Sequence, residues 1–253
     1  MRPFDLSGRT AVVTGAKRGI GFAIAEALAA AGADIIGVSA SLDPESSAIG
    51  DRVRALGRSF EGHRVNFADR SAVTQLASTL ASRVSAVDIL VNNAGTIRRA
   101  PAADHPLEWF DEVLEVDLTS GFVLAQALGR RMLDAGRGRI VFTASLLSFQ
   151  GGINVPGYAA AKSGVVGLVH ALSNEWAGRG VTVNGIAPGY IATDNTQALR
   201  DDHERSRAIL ERIPAGRWGR AEDIGGTAVF LASDAAEYVT GAVIPVDGGW
   251  LGR

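Results

Sequence analysis

The sequence predicts an α/β fold in which helices cover both faces of a seven-stranded parallel sheet. Short runs rich in β-branched residues alternate with longer helical patterns along the chain. Several of these runs are almost continuously apolar, as expected for strands buried on both faces of a sheet. A glycine-rich turn joins the first strand to the first helix, which is typical of a doubly wound sheet.

Seven strands and six long helices follow from this alternation. The predicted strands are Thr10–Thr14, Asp34–Val38, Ser59–Val65, Val87–Val91, Arg139–Thr143, Val181–Ile186 and Ala242–Val246. The predicted helices are Ile20–Ala31, Pro44–Leu56, Ser71–Val84, Pro106–Leu133, Gly157–Ala177 and Ala221–Leu231. Because no composition break or repeat divides the chain, residues 1–253 are predicted to form a single domain.

The segment Gly189–Trp218 interrupts the alternation between the sixth strand and the last helix. It is polar and charged, and its middle, Thr196–Arg212, fits one or two helices. Insertions at the carboxyl edge of such sheets often cover the ligand crevice, so residues 189–218 are predicted to form a substrate lid. The alternative is a solvent-exposed segment that does not act as a lid.

Composition excludes several other classes of protein. The net charge is −2, so neither nucleic acid nor an anionic membrane surface is an expected partner. The chain has no cysteine, which excludes disulfides and thiolate catalysis, and its four histidines show no metal-ligand spacing. The first ten residues contain no apolar leader and no stretch reaches membrane-spanning length, so a cytoplasmic protein is expected.

The glycine-rich turn is the first candidate binding site. Gly15 fits the tight turn, Gly19 lets a pyrophosphate approach the backbone, and Gly21 permits close helix–strand packing. The helix that follows offers free N–H groups and its positive dipole end to phosphates. This context predicts a Rossmann-type dinucleotide site, and the alternative is a merely tight turn.

Four motifs in order carry a resemblance to a known family. They are Thr14–Gly21 with the spacing TGxxxGIG, Asn92-Asn93-Ala94-Gly95, the set Ser145, Tyr158 and Lys162, and Pro188-Gly189. Together they resemble the short-chain dehydrogenase/reductase family, from Leu6 onwards. The resemblance and the residues beside these motifs imply a nicotinamide dinucleotide bound by Gly15, Lys17, Arg18, Gly19, Ile20, Gly21, Ser39, Asn66, Asn93, Ala94, Gly95, Tyr158, Lys162, Pro188, Gly189, Ile191 and Thr193.

Tyr158 and Lys162 are the predicted proton-transfer pair. They are four residues apart in a predicted helix and therefore share a face. A lysine cation favours the phenolate form of a neighbouring tyrosine, which suits Tyr158 to acid–base catalysis. Ser145 ends the fifth strand, where its hydroxyl can hold a substrate carbonyl oxygen. The alternative interpretations are an ordinary buried aromatic residue and a surface lysine.

One position departs from the family pattern. The family usually has an asparagine in the long crossover helix, where it organises a water that links the lysine to solvent. The matching residue here is Asp117, which cannot donate a hydrogen bond when ionised. Its negative charge favours protonated Lys162. Asp117 is therefore a further catalytic candidate. The exchange of asparagine for aspartate affects the proton relay between Lys162 and solvent rather than hydride transfer.

The sequence favours NADP over NAD, although NAD stays possible. An acidic residue at the end of the second strand would select NAD, and the strand ends near Ser39 without one. Lys17 and Arg18 lie in the glycine turn, where they can pair with a 2′-phosphate. The alternative is that both side chains are merely solvated. The sugar-acid branch of this family, which the chain also resembles, is usually described as NAD-dependent, and this conflicts with the preference for NADP.

Further residues resemble the branch of the family that oxidises or reduces sugar acids of the 2-dehydro-3-deoxygluconate or gluconate type. They are Ser148–Gly152, Ala192–Gln197, Ile213–Gly219 and Val246–Leu251. Such a substrate needs a cation for its carboxylate and polar groups for its hydroxyls. The candidates are Arg98 and Arg99 for the carboxylate, with a solvated pair as the alternative, and Gln150 and Asn154 for the hydroxyls.

Two other functions stay open at this point. One is a 3-oxoacyl carrier-protein reductase, which has a similar scaffold. The other is an NADP(H)-binding sensor without turnover, against which the intact Ser145, Tyr158 and Lys162 argue. The family is commonly oligomeric, and the small residues around Tyr158 would allow close helix packing, so a homotetramer is expected.

Overall fold

The computed structural model describes residues 3–83 and 87–253, so Met1, Arg2 and the predicted helix end at Val84 lie outside the described residues. One parallel sheet of seven strands is present in the order β3-β2-β1-β4-β5-β6-β7. This confirms the predicted fold class. The strands are β1 Thr10–Thr14, β2 Asp34–Ser39, β3 Phe60–Arg64, β4 Ile89–Asn92, β5 Gly138–Thr143, β6 Val181–Pro188 and β7 Val243–Val246.

The strand order reverses between β1 and β4. The chain runs outward from β1 to β3 on one side and from β4 to β7 on the other. In open α/β sheets the ligand binds at such a switch point, outside the carboxyl ends of the strands. The topology therefore fixes where a dinucleotide site must lie before any side chain is considered.

Helices pack on both faces of the sheet. One hydrophobic cluster joins the sheet to helices that include α1 and α10, and another joins it to α3, α5 and α7. No helix within the described ranges has the length and apolar character needed to cross a membrane. The helices are α1 Gly19–Ala30, α2 Ala48–Ala55, α3 Arg70–Ala81, α4 Leu107–Leu114, α5 Ser120–Ala135, α6 Leu147–Gln150, α7 Pro156–Trp176, α8 Gln197–Asp201, α9 His203–Leu210 and α10 Glu222–Ala232.

Two predicted helices differ from the observed ones. The helix predicted over Pro44–Leu56 begins only at Ala48, because the Ser47 hydroxyl accepts a hydrogen bond from the Gly50 N–H and caps it there. The helix predicted over Pro106–Leu133 is two helices, α4 and α5, separated by a π-helical turn at Glu115–Thr119. Such turns insert a residue into the helical repeat and frequently occur at functional sites.

The segment 189–218 is folded rather than irregular. Its two helices, α8 and α9, correspond to the middle region for which one or two helices were predicted. Ile209 and Ile213 bury their side chains against Leu146 and Trp250 in a third hydrophobic cluster. The segment is therefore packed against the loop that follows β5.

The contact between α1 and α10 generates a test of the packing. A Cβ added to Gly225 would lie 2.8 Å from the Ala27 Cβ, whereas a Cβ added to the neighbouring Gly226 would meet open space. We expect Gly225→Ala to lower the free energy of unfolding by about 1–3 kcal/mol through overpacking. Gly226→Ala, the matched control, should raise it by about 0.5–1 kcal/mol through helix propensity. Urea denaturation of both variants measures the difference, and equal effects would contradict the close helix contact.

Candidate active site

A crevice of about 380 Å³ lies at the switch point predicted by the topology. It brings the glycine turn, the Asn-Asn-Ala-Gly run and the Tyr158–Lys162 pair into one continuous site. The predicted site residues among its lining are Gly15, Lys17, Arg18, Gly19, Ile20, Gly21, Ser39, Asn66, Asn93, Ala94, Gly95, Asp117, Tyr158, Lys162 and Thr193. The sequence motifs therefore converge in space although they span most of the chain.

The glycine turn has the form that a pyrophosphate needs. Gly15 and Gly19 have φ of 71° and 57°, which side-chain-bearing residues rarely adopt. A Cβ on Gly21 would lie 2.3 Å from the Gly15 carbonyl oxygen, so only glycine fits there. No side chain among the described residues caps the start of α1. Its first N–H groups therefore stay free for an anion, and the turn fits a dinucleotide.

The two basic residues of the turn have different surroundings. Lys17 Nζ donates to the backbone oxygen and hydroxyl of Ser41, at 2.8 and 3.1 Å. The Lys17 N–H donates to the Ser39 hydroxyl at the end of β2. Arg18 instead forms a 2.6 Å ion pair with Asp194, across the crevice in the 189–218 segment. Lys17 is therefore a cation of the glycine turn that lies beside the end of β2, where a 2′-phosphate is recognised in such folds.

Threonine hydroxyls hold the middle of the crevice together. Thr14 Oγ1 accepts hydrogen bonds from the N–H groups of Asn93 and Ala94, both at 2.9 Å, and Asn93 Nδ2 donates to the Thr14 carbonyl. On the other side, Thr143 Oγ1 donates to Asn93 Oδ1 at 3.2 Å. Asn93 is thus fixed between the ends of β1 and β5. The role of Thr143 was not predicted from the sequence.

Tyr158 and Lys162 lie one turn apart on α7, as the spacing predicts. Lys162 Nζ is 5.6 Å from the centroid of the Tyr158 ring and donates to the Thr143 carbonyl at 2.9 Å. Ser145 lies two residues beyond Thr143, and its Oγ accepts the Leu147 N–H at 3.1 Å. Ser148 has a role that was not predicted from the sequence: its hydroxyl accepts the Ser145 N–H and donates to the Lys162 carbonyl. Ser148 thereby joins the serine loop to the catalytic helix.

Asp117 forms a buried ion pair with Lys162. Its Oδ2 lies 3.2 Å from Lys162 Nζ, and its Oδ1 accepts the Thr96 N–H at 2.7 Å. Burial raises the pKa of Asp117, against the opposing effects of the Lys162 charge and of the Thr96 hydrogen bond. Burial alone would lower the pKa of Lys162, but the charges of Asp117 and Tyr158 outweigh it and raise that pKa. The lysine is therefore held in its charged form.

The two predicted substrate arginines differ sharply. Arg98 makes two 2.8 Å hydrogen bonds to the carboxylate of Glu112 and lies over the ring of Trp109. Its guanidinium is therefore committed to a structural ion pair. Arg99 is exposed, and its only described side-chain bond is a long one, 3.4 Å, to the carbonyl of Asn195 in the 189–218 segment. Neither arginine is among the residues that line the main crevice, and of the two Arg99 has the less committed guanidinium.

Gln150 and Asn154 lie on the loop between Ser145 and Tyr158, outside the lining of the main crevice. Gln150 Oε1 accepts a 2.9 Å hydrogen bond from the indole N–H of Trp250. This bond does not use the NH₂ group of Gln150. Asn154 has a positive φ of 62°, and its carbonyl accepts the Ala100 N–H at 3.0 Å. The loop of Asn154 is thus tied to the loop that carries the two arginines.

The residues after β6 divide between two cavities. Pro188 ends the strand, and its carbonyl accepts the Leu146 N–H at 3.3 Å. A Cβ on Gly189 would lie 2.6 Å from Asp247 Cα, so this close approach needs glycine. Ile191 lines a smaller cavity of about 150 Å³ beneath the 189–218 segment, whereas Thr193 lines the main crevice.

Several lining residues were not predicted from the sequence. Thr96, Glu112, Thr143, Asp194 and Asn195 all line the main crevice. Asp194 and Asn195 lie in a run that carries the resemblance to the sugar-acid branch, but the sequence assigned neither of them a role. Glu112 lies on α4, and its sequence context is that of an ordinary solvent-exposed helix residue. Its ion pair with Arg98 is seen only in the folded structure.

Comparison with known proteins agrees with this geometry. A family model described as Enoyl-(Acyl carrier protein) reductase matches residues 15–251. The 2-dehydro-3-deoxy-D-gluconate 5-dehydrogenase of Pseudoalteromonas atlantica is 59% identical over 253 residues, which cover 100% of both chains. The 3-oxoacyl-[acyl-carrier-protein] reductase of Escherichia coli is 41% identical, over 97% of this chain and 98% of the other.

Solved structures are similarly close. The structure of a Beutenbergia cavernae protein, described as an NAD(P)-dependent gluconate 5-dehydrogenase with bound NADP, superposes with a TM-score of 0.95 at 53% identity, covering 99% of this chain and 100% of that one. A gluconate 5-dehydrogenase from Burkholderia cenocepacia in complex with NADP and tartrate gives a TM-score of 0.93 at 37% identity, covering 99% and 98%. The glycine turn, the Tyr158–Lys162 pair and these full-length similarities together establish that the chain belongs to the short-chain dehydrogenase/reductase family.

Proposed function

We propose that this protein is an NADP-dependent oxidoreductase that interconverts a keto and a hydroxyl group of a sugar acid of the 2-dehydro-3-deoxygluconate or gluconate type. The observation that carries the proposal is the single crevice that holds both the glycine turn and the Tyr158–Lys162 pair. The substrate class rests on the relatives, since a 59% identical protein bears the name of a 2-dehydro-3-deoxy-D-gluconate 5-dehydrogenase.

The chain's own residues supply binding and proton transfer. When bound, the nicotinamide supplies or accepts the hydride. Ser145 holds the substrate oxygen, and Tyr158 gives that oxygen a proton during reduction and removes it during oxidation. Lys162, which stays charged in its buried position, favours the phenolate that Tyr158 becomes after it gives up the proton.

The 189–218 segment and the loops beside it form the proposed substrate end. Arg99 binds the carboxylate, because Arg98 is already paired with Glu112. Gln150 and Asn154 are the proposed hydroxyl contacts, and residues 189–218 are the proposed lid. The hydrogen bond from Arg99 to the Asn195 carbonyl supports a link between the carboxylate site and the lid.

A 3-oxoacyl carrier-protein reductase is the second candidate. A 41% identical relative from Escherichia coli bears that name, and the family model carries the description of an acyl-carrier-protein enzyme. A sensor that binds NADP(H) without turnover is the weakest candidate, because Tyr158 and Lys162 both lie in the crevice.

We also propose that the protein is a cytoplasmic homotetramer. The outer face of α7 supports close approach of a second copy, since Ala160 and Gly167 are small and exposed there. On α5, Phe122 is 37% exposed and adds an apolar contact to the surface.

The reaction is tested by following absorbance at 340 nm with keto and hydroxy sugar acids, 3-oxoacyl thioesters and both cofactors. We expect turnover of a sugar acid with NADP, and a loss of about 10²–10⁴-fold in kcat for Tyr158→Phe, since that variant lacks the transferred proton. Preference for the thioester would select the second candidate, and cofactor binding without any turnover would select the sensor.

The cofactor preference is tested at Lys17. We expect Lys17→Ala to raise the Kd for NADPH about 10–100-fold and to change that for NADH little, because a charged hydrogen bond to the 2′-phosphate is worth about 1.5–3 kcal/mol. Arg18→Ala is the matched control, because it removes a positive charge from the same turn and the Arg18 guanidinium contacts Asp194 rather than the end of β2. Fluorescence titration gives both constants. A larger loss in the Arg18 variant would reassign the phosphate contact.

The carboxylate contact is tested by comparing the two adjacent arginines. We expect Arg99→Ala to raise KM for the sugar acid about 10–100-fold and to leave KM for an uncharged ketone nearly unchanged, since only the acid loses a charged partner. Arg98→Ala removes the same charge from a structural pair. This variant should therefore lower Tm clearly and change KM for the sugar acid little. Steady-state kinetics and thermal melts separate the two, and a reversed pattern would refute the assignment.

A further inference from the structure

The π-helical turn between α4 and α5 buries a carboxylate beside the proton-transfer pair. The Asp117 side chain is 0% exposed, and that of Lys162 is 4% exposed. One carboxylate oxygen, Oδ1, is used by the Thr96 N–H. The other, Oδ2, has no hydrogen bond from the described residues and faces the ammonium at 3.2 Å. A Cβ on Gly95 would lie 2.9 Å from Oδ2, so the glycine leaves room for it.

The charges around this pair are few. Besides Asp117 and Lys162, the charged residues among the crevice lining are Lys17, Arg18, Glu112 and Asp194, and Tyr158 is the other titratable group. Lys17 and Arg18 belong to the glycine turn, and Asp194 is paired with Arg18. Glu112, on α4, is paired with Arg98. Asp117 is therefore the carboxylate in direct contact with the catalytic ammonium.

An ion pair and a lone ammonium act differently on a neighbouring phenol. A lone positive charge attracts the phenolate strongly in a buried site. A carboxylate in contact with that charge cancels much of the attraction, because the field of the pair falls off faster than that of a single charge. A neutral side chain at position 117 would leave the ammonium uncompensated, whereas the aspartate here compensates it.

We infer that Asp117 is a positioning residue that acts through Lys162 and weakens the attraction of its ammonium for the Tyr158 phenolate. The inference rests on the proposed function of Tyr158 as proton donor and acceptor. A protonated phenol is the form needed to reduce a carbonyl, and a phenolate is the form needed to oxidise an alcohol. Compared with an uncharged residue at the same position, Asp117 thus favours carbonyl reduction and raises the pH that alcohol oxidation requires.

Asp117→Asn removes the charge and keeps the shape, and a spectroscopic titration reads the result without any substrate. The chain has three tyrosines, so the difference between phenolate absorbance curves of a protein and its Tyr158→Phe counterpart isolates Tyr158. We expect the midpoint of that curve to fall by about one pH unit in Asp117→Asn, a tenfold change in proton affinity. In the pH profile of kcat/KM for alcohol oxidation, the midpoint of the acid limb should fall by the same number of pH units.

Glu115→Gln is the matched control. Glu115 belongs to the same π-helical turn but is paired with Arg70, so its loss removes one negative charge without touching Lys162. An unchanged midpoint in Asp117→Asn, a midpoint that rises, or an equal shift in Glu115→Gln would each overturn the inference. Near-UV circular dichroism and NADP binding verify folding, and Asp117→Ser replaces the asparagine variant if that variant does not fold.

The outcomes also separate this inference from the proposed function. If no sugar acid is turned over, the proposed function fails, whereas the absorbance titration still reports whether Asp117 controls the proton on Tyr158. If sugar acids are turned over and the midpoint does not move, only the role of Asp117 is lost.

Discussion

The hydrogen bonds of Thr14 tie the end of β1 to the Asn-Asn-Ala-Gly run at the switch point. Its hydroxyl receives the N–H groups of Asn93 and Ala94, which lie just beyond β4. This contact sets the separation between the glycine turn and the Asn-Asn-Ala-Gly run. Since Asn93 is also bound by Thr143, the same contact extends to β5 and, through the Thr143 carbonyl, to Lys162. Besides the β1–β4 and β4–β5 ladders, one buried threonine therefore links the cofactor turn to the proton-transfer pair.

Local sequence patterns predicted what is local in the structure. The strand Thr10–Thr14 has the same bounds in both, because its apolar run is bounded by the glycine turn. The four-residue spacing of Tyr158 and Lys162 places both in one crevice because a helix repeats every 3.6 residues. These features can be predicted from neighbouring residues alone. The family motifs add only the order in which the features follow one another along the chain.

Features that depend on distant partners were not predictable. Arg98 and Arg99 are indistinguishable in sequence, and they differ only because α4 brings Glu112 to the first and not to the second. The π-helical turn at Glu115–Thr119 lies inside a pattern that reads as one continuous helix, since a single inserted residue hardly disturbs the apolar period. The role of Ser148 as a link between Ser145 and α7 likewise appears only when the two are folded together.

The ion pair between Arg18 and Asp194 has a consequence for how molecules enter the crevice. Both side chains are 71% exposed, so water and salt screen their attraction, and such pairs are worth about 0–1 kcal/mol. Thermal energy at ambient temperature is about half of that upper value, so the pair breaks and re-forms freely. It spans the mouth between the glycine turn and the 189–218 segment without barring it. A dinucleotide that enters here therefore needs to displace only a weak ion pair, which opens spontaneously.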